Sequence, residues 1–410
     1  MHCGFCLATC PTYLLWHEEM DSPRGRILLM KVAAASEAQL TPQWVQHFDT
    51  CLGCMACMPA CPSGVDYGKL IEATRAQIER HHPRSFFEKL HRRLLFALFP
   101  HPNRLRRLRW ALVAYQKSGL QFLVRKSGIL RLLPPKLRAM ETLLPALGAS
   151  QRVSEVTPAI GRKRMRVGLL LGCVQREFLP QINGATVRVL TAEGCEVVAP
   201  QEQPCCGALL VHAGEENGAL AYARKTIEAF ERAAVDVIVT NAAGCGSNVK
   251  EYGHLLRDDP AYAERARIFS AKCKDVSEIL AELPPRAVRN PLPIRVGFHD
   301  SCHLNHAQGV HAQPRRLLAS IPSLTLEDVP ENAICCGSAG IYNLVQPRAA
   351  AELGARKAQL IAALSPSVVA TGNPGCLLQL QAALAACGKK IPVMHTIEIL
   401  DASIRGEQLA

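Results

Sequence analysis

Four closely spaced cysteines followed by a proline constrain this chain more than any other feature of its sequence. Cys51, Cys54, Cys57 and Cys61 precede Pro62 in the spacing C-x2-C-x2-C-x3-C-P. Three thiolates two residues apart surround one face of a 4Fe-4S cluster, and in chains with two clusters the fourth cysteine binds the other cluster. Structural zinc sites also use C-x2-C pairs, but zinc does not explain the x3-C-P ending. The spacing therefore predicts iron–sulfur ligation and a second cluster.

A second, incomplete copy of this pattern stands at the start of the chain. Cys3, Cys6, Cys10 and Pro11 match its second, third and fourth cysteines and its proline, and the first cysteine would fall one residue before Met1. The last cysteine of each motif crosses to the other cluster in the bacterial ferredoxin pattern. We therefore predict two 4Fe-4S ligand sets. They are cluster a, held by Cys3, Cys6 and Cys61, and cluster b, held by Cys10, Cys51, Cys54 and Cys57.

Cluster a lacks one thiolate in the chain as written. A real loss would suit a 3Fe-4S cluster, or an incomplete cluster with a labile iron. We expect instead that an internal GTG valine codon has been taken as the start at Met1, so that the natural protein begins upstream and has a cysteine directly before Met1. A tryptic peptide from upstream of Met1 is the expected observation in the native protein, and a native N-terminus at Met1 would contradict it.

The second half of the chain repeats another cysteine pattern in tandem. Each copy has one cysteine, then an adjacent pair, then a further single cysteine. Corresponding positions are 129 to 131 residues apart, which indicates a duplication. The two sets are Cys173, Cys205, Cys206 and Cys245, and Cys302, Cys335, Cys336 and Cys376.

Each copy has the pattern of an α/β unit in which buried strands alternate with helices. Apolar runs lead up to a cysteine, as in RMRVGLLLGC (164–173) and VDVIVTNAAGC (235–245). We expect parallel strands that each end at a cysteine, which would gather four thiols where open α/β sheets build their sites. Gly207 and Gly337 follow the cysteine pairs and let backbone N–H groups approach a thiolate or sulfide.

Three interpretations of these eight cysteines stay open at this stage. A metal or iron–sulfur centre in each repeat is the first, a redox-active dithiol or persulfide site is the second, and buried structural cysteines are the third. Cys195, Cys273 and Cys387 belong to no set, and we expect them to be small buried hydrophobic residues.

Four histidines in the second repeat are further candidates. His303 follows Cys302, where it could ligate a metal or shuttle a proton. For His303, and equally for His299, His306 and His395, the favoured expectation is loop solvation or helix capping.

Basic charge is concentrated between residues 84 and 138. This segment has fourteen lysines and arginines against one acid, Glu88, while the whole chain has a formal charge of +12. Apolar and basic residues alternate there at helical spacing, and prolines interrupt the pattern. A linker of helices with a solvated basic face is one interpretation. A peripheral contact with an anionic membrane, a quinone-bearing membrane or an acidic subunit is the other. Nucleic acid is not expected, because no base-reading module accompanies the charge.

Composition places the chain among soluble redox or metal proteins. Eighteen cysteines in a chain without a visible signal peptide favour metal ligation or redox chemistry over disulfides. No apolar run approaches the roughly 18 residues that span a bilayer. We expect a cytoplasmic protein, with peripheral contact at the inner face of the membrane as the alternative.

The predicted fold is multidomain. It combines an α-helical ferredoxin-like domain with two 4Fe-4S motifs, a basic helical linker, and two tandem α/β cysteine-rich domains. The expected limits are residues 1–83, 84–160, 161–288 and 289–410.

Five segments together resemble one known family, the iron–sulfur subunits of bacterial glycolate oxidase. They are HCGFCLATCPTY, DSPRGRI (21–27), CLGCMACMPACPSGVDYGKL, GCGSNVKEYGHLL (244–256) and CCGSAGIYNLVQP (335–347). The resemblance covers essentially the whole chain. It implies a complex in which separate FAD subunits oxidise glycolate to glyoxylate, while this subunit carries electrons to an acceptor at or near the membrane.

Sister families with the same tandem cysteine-rich domains give the alternative function. They include heterodisulfide reductase, lactate-utilisation proteins and anaerobic glycerol-3-phosphate dehydrogenase, and they imply a subunit that itself reduces a thiol or quinone. Heterodisulfide-reductase-like proteins often have C-x-x-C at the last motif. Asn248 and Gln379 stand at those positions here, so the fifth cysteine is absent from both repeats. No flavin-binding glycine motif follows a predicted strand, so FAD is expected only in partner subunits.

Overall fold

The computed structural model describes residues 3–36 and 40–409. The position before Met1, where the sequence predicts a cysteine, lies outside them. Within the described residues, no helix combines the length and the apolar character needed to cross a bilayer. The architecture confirms the predicted fold class, with a helical N-terminal part followed by two α/β units with parallel strands. The exact domain limits stay predictions.

The N-terminal domain is helical because short capped helices alternate with the cysteine loops. Thr41 caps the third helix by accepting from the backbone N–H of Trp44 at 3.2 Å, and Asp66 caps the fourth. Phe48, Ile71 and Ile78 are fully buried between these helices. The helices are α1 (Pro11–Trp16), α2 (Pro23–Ser36), α3 (Pro42–Asp49) and α4 (Tyr67–His81).

The basic segment folds into helices whose prolines mark beginnings. Pro102 and Pro135 occupy first-turn positions, where a missing N–H costs nothing. Ser85 and Glu88 form a reciprocal capping box at the start of the first helix. The helices are α5 (Phe86–Leu98), α6 (Pro102–Lys117), α7 (Leu120–Lys126) and α8 (Pro135–Thr142).

The first cysteine-rich repeat is built on a five-stranded sheet in the order β1-β3-β2-β4-β5. Only β1 is antiparallel to its neighbour, and Val167 in β2 stands in register with Val197 and Val237 on either side. The elements are β1 (Val156–Thr157), β2 (Met165–Leu170), α9 (Val174–Phe178), α10 (Pro180–Ala192), β3 (Cys195–Val198), α11 (Ala208–Val211), α12 (Glu216–Ala233), β4 (Val237–Thr240), α13 (Ala243–Lys250), α14 (Tyr252–Leu255), α15 (Ala263–Lys272), β5 (Cys273–Asp275) and α16 (Val276–Glu282).

The second repeat has a four-stranded, fully parallel sheet in the order β7-β6-β8-β9. Val296 stands in register with Leu326 and Val368, as Val167 does with its partners in the first repeat. A short π-helical turn spans His303–Ala307. The other elements are β6 (Arg295–His299), α17 (Ala312–Ala319), β7 (Thr325–Asp328), α18 (Tyr342–Val345), α19 (Pro347–Leu364), β8 (Val368–Thr371), α20 (Pro374–Ala386), β9 (Val393–His395) and α21 (Thr396–Arg405).

The strands stop short of the cysteines, which corrects one expectation. β2 ends at Leu170, three residues before Cys173, and β4 ends at Thr240, five residues before Cys245. Cys245 and Cys376 instead lie in the first turn of α13 and α20. The chain must leave the sheet and begin the next helix before a thiol can face its neighbours, so the thiols gather above the strand ends.

The two repeats share one continuous hydrophobic core. Val167, Ile182 and Val239 of the first repeat join Phe298 and Val369 of the second in a single buried cluster. At the contact between α10 and α21, the guanidinium of Arg188 forms an ion pair with Asp401, at 2.7 Å. The duplicated units therefore pack together as one body.

The N-terminal domain docks on both repeats. Arg75 in α4 donates to the carbonyl oxygen of His212 at 2.9 Å, in the first repeat. The hydroxyl of Tyr342, in the second repeat, donates to the carbonyl oxygen of Thr50 at 3.0 Å. This docking brings the ferredoxin-like cysteines up to the cysteine-rich units.

Candidate iron–sulfur sites

The structure brings the four predicted ligands of cluster b to one place. Their exposed fractions are 6 to 8%, and all four thiols line a single cavity. The residues are Cys10, Cys51, Cys54 and Cys57. Four buried cysteines around one largely apolar cavity fit a 4Fe-4S cluster, which binds to cysteine thiolates.

Backbone and side-chain donors surround the sulfur of Cys51. The N–H of Gly53 donates to this sulfur at 3.4 Å, and the Tyr67 hydroxyl lies 3.6 Å from it. Burial by itself would raise the pKa of Cys51, but the guanidinium groups of Arg26 and Arg75 outweigh it and lower this pKa. The site thus favours a thiolate at Cys51.

Cluster a lies nearer the surface. Cys3 is exposed, and Cys6 and Cys61 are partly exposed. Cys6 packs beside the apolar residues that enclose cluster b, among them Cys51 and Cys57. Burial raises the pKa of Cys6, whereas a hydrogen bond from the backbone of Val65 lowers that of Cys61. The three predicted ligands of cluster a are therefore more exposed than those of cluster b.

The four cysteines of the first repeat form a chain of sulfur contacts. Cys205 donates to the sulfur of Cys173 at 3.4 Å, and the backbone N–H of Gly207 approaches the sulfur of Cys205 at 3.4 Å. Cys206 is in hydrogen-bond contact with both Cys205 and Cys245. The predicted convergence of thiols in this repeat is thus present in the structure.

The second repeat shows the same arrangement in a more enclosed form. Its four cysteines are all buried. Hydrogen bonds from the thiols of Cys302 and Cys336 hold the pKa of Cys335 well below its ordinary value, and Cys336 also contacts Cys376. The predicted convergence of thiols is thus present in this repeat as well.

Histidines near this second site differ from the sequence expectation. His299 and His303 are not solvated, because their exposed fractions are 1% and 7%, and burial lowers the pKa of each to about 3. The Nδ1 atom of His303 lies 3.5 Å from the sulfur of Cys302. His395 confirms the capping interpretation, since its Nδ1 accepts from the N–H of Ile397 at the start of α21.

His306 and the unassigned cysteines complete the comparison with the sequence. His306 lies at a partly exposed position and contacts the carbonyl oxygen of Ala333 through Nε2, at 3.0 Å. Cys195 and Cys273 are buried as expected. Cys387 is exposed, so the expectation of burial was wrong there: the residue ends α20 at a surface turn.

One predicted ligand of cluster b packs against the cysteines of the second repeat. Cys54 shares one buried cluster with Cys302 and Cys335, together with Leu52 and Tyr342. The thiols of Cys54 and Cys335 are close enough for each charge to affect the other. Sequence reasoning did not find this contact, because about 280 residues separate its two sides.

The first-repeat site has different surroundings. A cavity of about 420 Å³ opens beside it, between the linker and the first repeat. Arg106, Arg176 and Tyr222 line this cavity, and Arg176 and Tyr222 also lie close enough to Cys173 and Cys205 to interact electrostatically with them. The two duplicated sites therefore face different environments, one an open cavity and the other the ferredoxin-like domain.

In the described part of the chain, the repeats show no preformed site for a single metal ion. Across residues 3–36 and 40–409, no three His, Cys, Asp or Glu side chains are arranged to hold one metal ion. The nature of the centre in each repeat stays a prediction.

Comparison with known proteins finds matches along most of the chain. Three family models match it: "4Fe-4S dicluster domain" over residues 1–65, "Glycolate oxidase iron-sulfur subunit, linker region" over 87–144, and "Cysteine-rich domain" over 167–250 and 296–381.

Several curated relatives match over most or all of their own length. The chain is 41% identical to the probable glycolate oxidase iron-sulfur subunit of Bacillus subtilis, over 98% of this chain and 92% of that protein. It is 37% identical to the glycolate oxidase iron-sulfur subunit of Escherichia coli, over 99% and 94%. Lactate utilization protein A of Halalkalibacterium halodurans is 30% identical, over 58% of this chain and 97% of its own length.

These matches agree with the geometry of the thiols. The matched models account for the ferredoxin-like domain, the linker and both cysteine-rich repeats. The chain is an iron–sulfur electron carrier within an oxidoreductase complex. It belongs to the family of glycolate oxidase iron–sulfur subunits.

Proposed function

We propose that this chain takes electrons from FAD-containing subunits that oxidise glycolate to glyoxylate, and passes them from cluster b into the site of the second repeat. The contact between Cys54 and Cys335 carries this proposal. The exposed cysteines of cluster a form the entry point, because an electron donor on another chain can reach them.

The proposed ligands are the two sets derived from the spacing. Cys10, Cys51, Cys54 and Cys57 hold cluster b, and Cys3, Cys6 and Cys61 hold cluster a. When bound, each cluster supplies one-electron transfer. The protein's residues exclude water from cluster b and orient its thiolates, as the burial of these four cysteines and the N–H of Gly53 support.

The cysteine-rich repeats are proposed to hold further iron–sulfur centres. Cys173, Cys205, Cys206 and Cys245 serve the first repeat. Cys302, Cys335, Cys336 and Cys376 serve the second. The sulfur contacts within each set support this assignment.

The substrate is tested on the natively purified complex. Glycolate, D-lactate and glycerol-3-phosphate are added separately without oxygen while bleaching of the visible cluster absorbance is followed. Preferential bleaching by glycolate is expected. Bleaching only by another substrate would move the complex to a sister family. No bleaching, in clusters that dithionite does reduce, would contradict the carrier role.

The route is tested with Cys54→Ser in the assembled complex. We expect substrate still to reduce the flavin, while electron transfer beyond it is lost. Cys387→Ser is the matched control, since this exposed cysteine belongs to no ligand set. Loss of flavin reduction in an intact Cys54→Ser complex would contradict the route.

We further propose that the linker rests on an anionic membrane at the cytoplasmic face. Twelve of the 21 exposed large hydrophobic side chains in the described chain lie between residues 86 and 140 of the linker. The same segment carries fourteen basic residues and one acid between residues 84 and 138. Exposed aromatic and aliphatic side chains beside lysines and arginines suit a headgroup interface. The twelve are Phe86, Phe87, Leu90, Leu94, Trp110, Leu120, Phe122, Leu123, Ile129, Leu132, Leu137 and Met140.

Vesicle sedimentation tests this contact. The complex should bind vesicles that contain phosphatidylglycerol more strongly than pure phosphatidylcholine vesicles, and salt should weaken the binding. Phe86→Ser with Phe87→Ser should weaken it several-fold, while Val288→Ser, equally exposed but outside the linker, should not. Equal binding to both lipid compositions would contradict the role of the anionic headgroups, and binding to neither would favour an acidic subunit as the partner.

A further inference from the structure

We propose that Arg26 sets the reduction potential of cluster b, which it raises by placing a permanent positive charge at the wall of the cluster cavity. This inference rests on the proposed function, because it takes Cys10, Cys51, Cys54 and Cys57 as the ligands. Arg26 lines the same cavity as these thiols. Its exposed fraction is 1%, and it is among the largest fully buried side chains.

The guanidinium is held by neutral oxygen atoms and one carboxylate. It donates to the carbonyl oxygen of His47 at 2.5 Å, to the hydroxyl of Thr12 at 3.2 Å and to that of Thr50 at 3.1 Å. Its carboxylate contact is Oδ1 of Asp21, at 3.2 Å. That oxygen also accepts from the Thr50 hydroxyl at 2.8 Å, so its charge is shared.

The positive charge acts on the thiol side of the cavity. The Thr12 hydroxyl that accepts from Arg26 also lies 3.2 Å from the sulfur of Cys10. Arg26 also interacts electrostatically with both Cys51 and Cys10. The positive charge of Arg26 thus acts on two of the four proposed ligands.

A cluster held by Cys10, Cys51, Cys54 and Cys57 would gain one negative charge on taking up an electron from cluster a. Burial alone opposes the added negative charge, because little solvent reaches the cavity. A guanidinium does not lose its proton in proteins. It therefore stabilises the reduced cluster and raises its potential. The corresponding cation near cluster a, Arg24, is less buried and paired with Glu19 at 2.6 Å.

The first test is Arg26→Gln, with the clusters titrated by EPR at controlled potentials. Cluster b is the centre whose signal is lost in Cys54→Ser. At the wild-type midpoint of cluster b, we expect the ratio of reduced to oxidised centre to fall about tenfold, which is 59 mV for one electron. Cluster a should shift less. Arg26→Lys keeps the charge and should restore most of the potential.

A second variant covers the case in which Arg26→Gln does not fold. Asp21→Asn keeps the shape of the side chain but removes the carboxylate charge beside Arg26, so the potential of cluster b should rise. Arg80→Gln, which breaks an exposed ion pair with Glu216, is the control for charge changes elsewhere. Unchanged potentials in Arg26→Gln with full iron content, or a fall in Asp21→Asn, would overturn the proposal. Absence of any EPR signal that depends on Cys54 would instead reject the ligand assignment.

Discussion

Glycine is required after each adjacent cysteine pair because the backbone turns there into a left-handed conformation. Gly207 has φ of +85° and Gly337 has φ of +91°. A side chain at Gly337 would also place its Cβ 2.6 Å from the carbonyl oxygen of Ala350, whereas at Gly207 the nearest atom, on Ala219, is 3.4 Å away. The space for a Cβ atom is thus smaller at Gly337, in the second repeat, than at Gly207.

Gly337→Ala should therefore destabilise the protein more than Gly207→Ala. The left-handed conformation costs an alanine about 1 kcal/mol at either position. The clash with Ala350 adds to this cost only at Gly337. Denaturant unfolding of the two variants measures the difference, and equal losses of free energy of unfolding would contradict it.

At the scale of elements, the first turns of helices position two of the repeat cysteines. The thiols of Cys245 and Cys376 are presented by the first turns of α13 and α20. The two edge strands β5 and β9 end in residues that cap helices. Asp275 accepts from the N–H of Ser277 at 2.8 Å, and His395 accepts from that of Ile397 at 3.2 Å.

Asp275→Asn should stabilise the protein at neutral pH. Burial raises the pKa of Asp275 to about 6, above its unfolded value of about 4. The folded state thus binds the proton more tightly, so stability is lost as pH rises from about 4 to about 6. An asparagine keeps the cap and carries no charge. A gain of about 3 kcal/mol at pH 7 is expected.

Unfolding curves at pH 4 and pH 7 measure this effect. The advantage of Asp275→Asn over wild type should be small at pH 4 and fully developed at pH 7. Asp66→Asn, at the exposed cap of α4, is the matched control and should show little change. An advantage that is the same at both pH values would contradict the role of the buried charge.

At the scale of the whole molecule, the ferredoxin-like domain bridges the two repeats. It contacts the first through Arg75 and the second through Tyr342, whose hydroxyl reaches Thr50. Thr50 directly precedes Cys51. The docking bond is therefore next to a proposed ligand of cluster b and ties that loop to the second repeat.

Tyr342→Phe should loosen this docking. Losing a buried hydrogen bond to a carbonyl costs about 1 kcal/mol. We expect faster amide hydrogen exchange in residues 45–57 and slower electron transfer out of cluster b, with unchanged iron content. Tyr262→Phe, which removes a surface hydroxyl that contacts Glu228, is the control. Unchanged exchange in Tyr342→Phe would contradict the docking role.

The residues that could be predicted are those whose partners are close in sequence. The spacing of Cys51, Cys54 and Cys57 places three thiols on one loop, and Cys10 joined them as the ferredoxin pattern requires. The sequence indicated nothing about Arg26 beyond its place in the DSPRGRI segment, which contributes to the family resemblance. Its burial could not be predicted from composition, because an arginine in a helix is more often exposed.

The sequence by itself determined the ligand motifs, the duplication and the alternation of strands and helices, because each depends on local spacing or period. The tertiary structure alone decided that Cys54 meets Cys335, that Arg26 faces the cluster b cavity, and that the two duplicated sites have different surroundings. These contacts depend on how the separately specified units pack. Packing is set by the shapes of buried surfaces contributed from distant parts of the chain, which no local pattern records.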